Sequence, residues 1–292
     1  MNPRLMHGTV TVPDLDDALK LYRDVYEQEL IETATVGAAE CAAWDAPHLA
    51  GARSAVLQPP SGATVYLRLI EQPSTPGFRS GKHTGWSALE LSVKDADAMH
   101  ARLVKEGYEI IAPPKMLAFT DKLYPMQSRG PGGEAFYLNE VRGSLPTSDL
   151  PMAQCWVDQL FIAVMGCKHR AHTLDFYNTL FGTTTGGTWE IEYNLVNQAF
   201  DLPAGTITAL STVADKRIVL FEVDQYPPVA TPKPVASGWL PPGVAIIGVS
   251  ATLAPVGTYW VAAPAVRDHA PYFGKTVGVV RGPDDELCEL AW

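Results

Sequence analysis

A six-residue segment, Arg129-Gly130-Pro131-Gly132-Gly133-Glu134, returns near the far end of the chain as Arg281-Gly282-Pro283-Asp284-Asp285-Glu286. Each copy is followed by a short alternating run that closes its half. A long-period echo restricts the fold more than any local pattern, because each copy must form the same supersecondary unit. A second echo pairs Leu21-Tyr22 with Phe176-Tyr177, each late in an amphipathic stretch that follows a short strand. Between the halves, Gly143 to Pro151 is rich in turn formers and has no periodicity, as a linker should. This reading divides the chain into a first domain over 1–143, a linker over 144–154 and a second domain over 155–292. The length of 292 residues agrees with two domains.

Within each half a strand–helix–strands pattern occurs twice. His7, Thr9 and Thr11 alternate with Val10 and Val12, then Pro13 ends the strand and Asp14 is placed to cap a helix. Val65 to Glu71 reads as the closing strand of this unit, with a less legible pair of strands before it. The second unit opens with Ala88, Glu90 and Ser92 opposite Leu89, Leu91 and Val93, and a helix runs from about Asp95 to Gly107. In the second half, Gln159, Phe161 and Ala163 alternate with Leu160, Ile162 and Val164, and the next helix stops at Gly182. The fourth unit begins at Val244, but Ala254-Pro255-Val256-Gly257 falls where its helix should start. Pro and Gly both oppose helix, so a short or missing helix is expected there.

The strand from His7, the Asp-Leu helix start, the helix centres at Tyr22 and Tyr177, and the closing run at 281–290 together resemble the vicinal oxygen chelate superfamily, the group of glyoxalase I, bleomycin-resistance proteins and extradiol dioxygenases. The resemblance implies an α+β fold of four tandem βαβββ units in two glyoxalase-like domains. Their mixed β-sheets curl into cups with helices outside. The cup-lining residues would be His7, Thr9, Thr11, Leu67, Leu69, Glu71, Ala88, Glu90, Ser92 and Tyr137 in the first half. In the second they would be Gln159, Phe161, Leu220, Glu222, Ala245, Ile247 and Glu289.

Metal-dependent members place ligands at His7, Leu67, Ala88 and Tyr137, and at Gln159, Leu220, Ala245 and Glu289. Of these only His7, Gln159 and Glu289 are candidate metal ligands, for Zn, Ni, Mn or Fe. An iron dioxygenase needs two histidines and a carboxylate facing one cavity, and the second-half trio Gln159, Ala245 and Glu289 departs from that. If units pair across the halves, His7 shares a cup with Glu289, while Gln159 joins Glu90 and Tyr137.

Glu90 stands out on its own chemistry. A carboxylate between Leu89 and Leu91 on a central strand is expensive unless a cavity or a partner receives it. The resulting expectation is a small-molecule enzyme with lyase- or isomerase-type acid/base chemistry on small organic substrates, aromatic ones included. Glu90, Glu289, His7 and Tyr137 are its candidate catalytic residues. Thr9, Ser92, Gln159, Phe161 and Glu222 are its candidate substrate contacts. The alternatives are a metal-free ligand-binding or resistance-type protein and a divergent metal-dependent dioxygenase.

A formal net charge of -10, with no Lys/Arg run, argues against nucleic acid as a partner. With no signal-like or membrane-length apolar stretch, a cytoplasmic monomer or homodimer with no membrane partner is expected.

Overall fold

The alternation of apolar and polar residues is realised as long strands, each followed by a crossover. The computed structural model describes residues 2–255 and 257–292. Its first unit comprises β1 (Arg4–Val12), α1 (Leu15–Leu19) continuing into a π-helical turn (Lys20–Val25), β2 (Glu29–Thr35), α2 (Ala38–Trp44), β3 (Arg53–Gln58) and β4 (Tyr66–Glu71). The second comprises β5 (His83–Val93), α3 (Ala96–Lys105), β6 (Ile110–Ala112), β7 (Leu123–Arg129) and β8 (Ala135–Val141). The third comprises β9 (Val157–Cys167), α4 (Arg170–Phe181), β10 (Thr184–Glu192), α5 (Asn194–Ala199), β11 (Ile207–Asp215) and β12 (Ile218–Gln225). The fourth comprises β13 (Thr231–Pro232), β14 (Gly243–Ser250), β15 (Ala265–Arg267), β16 (Lys275–Arg281) and β17 (Leu287–Ala291).

Helix boundaries follow local chemistry. The Asp14 side chain accepts from the Asp17 N–H at the start of α1, and Asp95 accepts from Ala98 at the start of α3. Gly107 and Gly182 end their helices at positive φ, where a side chain would be strained. Among the described residues between β14 and β15 there is no helix. Val256, within the segment expected to oppose one, lies outside the described residues. The linker region between β8 and β9 carries no helix or strand.

The units pair across the halves. One sheet runs β15-β16-β17-β14-β1-β4-β3-β2 and joins the first and fourth units. The other runs β10-β11-β12-β9-β5-β8-β7-β6 and joins the third and second. Antiparallel pairing of β1 with β14, and of β5 with β9, forms the two seams. The convex faces meet in a shared core that includes Val10, Leu89, Leu160 and Ile247. Gly8 permits that approach, since a Cβ there would lie 2.9 Å from the Leu89 side chain.

The two sequence echoes turn out to touch each other. The Tyr22 hydroxyl donates to Glu134 at 2.6 Å, and the Tyr177 hydroxyl donates to Glu286 at 2.7 Å. In both places burial pushes the carboxyl up to about 7, against the pull of the tyrosine hydrogen bond. The repeated motifs therefore act as a pair of buried clasps tying a helix to the hairpin of the following unit.

Several inner faces differ from the expected register. Parallel pairing sets Tyr66 beside His7 and Arg68 beside Thr9. Tyr66, Arg68 and Ile70 thus face the cup, whereas Leu67 and Leu69 join the core. A bulge between Val213 and Ala214 in the β11–β12 ladder shifts the facing so that Leu220 also packs in the core. Ile247 pairs with Gly8 and faces the core as well. A one-residue slip exchanges the two faces of a strand, which accounts for all of these differences.

Candidate functional site

The first cup, from β1, β4, β14 and β17, brings His7, Thr9 and Glu289 together, all without exposed surface. Glu289 accepts from the Trp44 indole at 2.6 Å, Arg267 at 2.7 Å and the Tyr272 hydroxyl at 2.6 Å. His7 Nε2 lies 3.0 Å from Oε2, the oxygen that also accepts from Tyr272, and the Thr9 hydroxyl lies 3.1 Å from His7 Nδ1. Arg68 donates to Glu40 at 2.8 Å and to the Tyr272 hydroxyl at 3.1 Å. Gly248 makes room for the histidine, because a Cβ there would fall 2.2 Å from the ring.

Burial pushes against ionisation of Glu289, but Arg267 and the His7 and Tyr272 hydrogen bonds hold its carboxyl well below the usual range. Burial lowers His7 in spite of Glu289, so it is neutral. The consistent tautomer has Nε2–H donating to Glu289 and Nδ1 accepting from Thr9. This cup is filled by its own side chains. A cavity of about 390 Å³ at its rim, beside Trp44, Trp239 and Lys233, is lined by none of His7, Thr9 and Glu289.

The second cup is open. β5, β8, β9, β10 and β12 surround a cavity of about 550 Å³ whose lining includes Glu90, Tyr137, Phe161, Trp189, Tyr193 and Glu222. A bulge in the β5–β9 ladder between Glu90 and Leu91 lets consecutive residues Phe161 and Ile162 both reach the cavity. Leu160 turns to the core. Gln159 lies beyond the bulge and does not line the cavity. Ser92 shares the Glu90 face of β5 but is fully buried, with its hydroxyl unpartnered and outside the cavity lining.

Two carboxyl groups dominate the chemistry. Asn139 donates to Glu90 at 2.8 Å, and the Tyr193 hydroxyl donates to Glu222. Burial, with the charge of Glu222 next, pushes Glu90 well above the carboxylate range. Burial pushes Glu222 up to about 7 against the Tyr193 hydrogen bond. Asp224, two residues further along the same face of β12, is fully buried and neither of its carboxyl oxygens has a hydrogen-bond partner. The Tyr137 hydroxyl is likewise unpartnered, although its ring lines the cavity. At the mouth, the Phe119 and Trp189 rings stack with centroids 6.2 Å apart.

Sequence reasoning missed Arg68, Arg267 and Glu40 in the first cup and Asp224, Asn139 and Tyr193 in the second. Arg68 carried the same signal as Glu90, a charge between two leucines. The candidate metal ligands do not fit a metal. Arg267 Nη1 lies 2.7 Å from Glu289, so a guanidinium already holds the cation position beside His7. Gln159 stands apart from both. Among the described residues no group of three or more His, Cys, Asp or Glu side chains is placed to hold a metal ion.

Comparison with known proteins bears on the fold. Residues 4–133 match the model of the Glyoxalase/Bleomycin resistance protein/Dioxygenase superfamily. None of the curated proteins matches the chain. Glyoxalase I from Zea mays is similar over 99% of this chain and 92% of its own, at 14% identity and a TM-score of 0.63. A variant of the same maize enzyme gives 0.64, with the same identity and coverage. A glyoxalase family protein from Bacillus cereus is 21% identical over 48% of this chain and 95% of its own, with a TM-score of 0.40.

Proposed function

We propose that the second cup is the working site and the first is structural, in a chain whose residues 4–133 match the model of the Glyoxalase/Bleomycin resistance protein/Dioxygenase superfamily and which is similar in fold to glyoxalase I from Zea mays over 99% of its length. The second cup takes up a small, largely apolar organic molecule and moves a proton on it, as a lyase or isomerase does. The observation that supports this is the pair of neighbouring carboxyl groups, Glu90 and Glu222, facing one aromatic-walled cavity.

A group poised near neutral pH serves best as a general base, since it is both available and basic enough. Glu222, at about 7, meets that condition. It would accept a proton from a carbon next to an electron-withdrawing group of the bound molecule. Glu90, held protonated by burial, would return a proton at the neighbouring atom. The unpartnered Tyr137 hydroxyl would donate to the oxygen on which negative charge develops. Phe161 and Trp189 would hold the apolar body. On this reading His7, Thr9 and Glu289 close the first cup and take no part in the reaction.

A second reading is a ligand carrier that performs no chemistry. It is favoured by the largely apolar walls, among them Leu210 and Val219, and by the protein partner that each carboxyl group already has. A panel of aryl ketones incubated with the protein in D2O separates the two. Deuterium appearing next to the carbonyl, and lost in Glu222→Gln, supports the enzyme. Saturable binding of a ketone that stays unlabelled supports the carrier.

A further inference from the structure

The second cup is lined by a buried carboxyl group, Glu90, and a half-buried one, Glu222, with buried Asp224 next to them outside the lining, and it has almost no positive charge. Glu90 comes from β5, and Glu222 and Asp224 come from one face of β12. Among the described residues, the one basic residue in the cavity lining is Lys115, which is exposed. Arg170, at the start of α4, acts on Asp224 from outside the lining.

The Tyr137 hydroxyl is the buried group in the lining that points to a missing partner, whereas Asp224 lies outside the lining and has the Arg170 guanidinium, whose Nη1 is also unpartnered, acting on it. Both Asp224 oxygens and the Tyr137 hydroxyl lack hydrogen bonds, with Asp224 fully buried and Tyr137 4% exposed. Tyr137 lines the cavity, and among the charges around its hydroxyl Asp224 acts most strongly, ahead of Glu222 and Glu90. Buried polar atoms without partners are rare and call for a ligand, a water or an ion. The first cup shows the alternative, since there Arg68 and Arg267 balance Glu40 and Glu289.

We propose that the ligand of the second cup carries a protonated amine, seated between Glu222 and Glu90 beside the Tyr137 hydroxyl. Its apolar body lies against Phe161 and Trp189. An ammonium group has three donors and no acceptor, which suits a pocket of carboxyl oxygens. The rings of Tyr137 and Tyr193, with centroids 5.7 Å apart, add the attraction of aromatic faces for a cation. This inference rests on the reading of the second cup as the working site and narrows its substrates to amines.

The test is calorimetric titration of the full chain at neutral pH with phenethylamine, phenethyl alcohol and phenylacetate, which share a ring and differ in charge. Phenethylamine is expected to bind at least about tenfold more tightly than the alcohol, as a charge-assisted hydrogen bond would give, and phenylacetate more weakly than both. In Glu222→Gln, which removes the lining carboxyl that ionises near neutral pH, the amine preference should shrink to about threefold or less, with alcohol binding retained. Equal binding of amine and alcohol by the unaltered protein overturns the inference, as does binding of the alcohol alone. Both results leave the cavity reading standing. No binding by any of the three overturns both.

Discussion

Replacing Glu222 with Gln should make the protein more stable in alkaline solution while removing its proposed base. The folded chain holds a proton on Glu222 up to about pH 7, whereas the ordinary value for a glutamate is 4.5. Between those values the folded state binds more protons than the unfolded state. The unaltered protein therefore loses stability as pH rises from 4.5, and the loss is complete above about 7. A rise of that size corresponds to roughly 3 kcal/mol at most. Glu222 is only partly buried, so cavity water screens it and about 2 kcal/mol is expected. Gln cannot ionise and escapes the loss. Urea denaturation at about pH 5 and about pH 8.5 measures it. The variant-minus-native difference should move in favour of the variant by about 2 kcal/mol between the two conditions. Subtracting one pH from the other removes the constant cost of altering the Tyr193 hydrogen bond. A difference that does not change with pH would refute the raised value, and with it the case for Glu222 as a base.

In the first cup, Glu289→Gln removes the anion that compensates Arg267, and urea denaturation should show a loss of about 3–5 kcal/mol; a loss under about 1 kcal/mol would mean the network is not structural. Gly248→Ala places a methyl against the rigid His7 ring and should cost about 2 kcal/mol in the same assay. Tyr22→Phe and Tyr177→Phe each remove the side-chain donor of a buried carboxyl and should cost about 1–3 kcal/mol. Because the two clasps share no partner, the double variant should equal the sum of the singles within about 0.5 kcal/mol.

Alternation made β1, β5 and β9 legible, and the Asp14 and Asp95 caps were readable because capping depends only on neighbours in the chain. The echoes were legible too, although their contact with one another was not. Inner faces were harder to read wherever a bulge or an unseen register intervened. Leu67 and Leu69 sounded like a cavity wall, yet β4 aligns Arg68 with Thr9. The charge of Arg68, flanked by leucines, was the available signal, by the reasoning that singled out Glu90. Trp44 and Glu40 reach the first cup from α2, a helix inside a long connection. No local pattern in that connection says which cup it will enter.

The two cups share one architecture, and charge separates their roles. Where β17 brings in Glu289, β4 and β15 bring in Arg68 and Arg267, and Glu40 completes two cations with two carboxylates. A closed set of this kind needs nothing further, and the side chains fill the space. Where β5 and β12 bring in Glu90 and Glu222, no lining cation among the described residues other than exposed Lys115 answers them. Carboxyl groups in a low-dielectric cup without a protein cation are accommodated by protons or by a bound cation. The uncompensated cup is therefore the one with a reason to stay open, and its lack of a protein cation, more than its shape, is the ground on which we propose it as the place where a ligand enters.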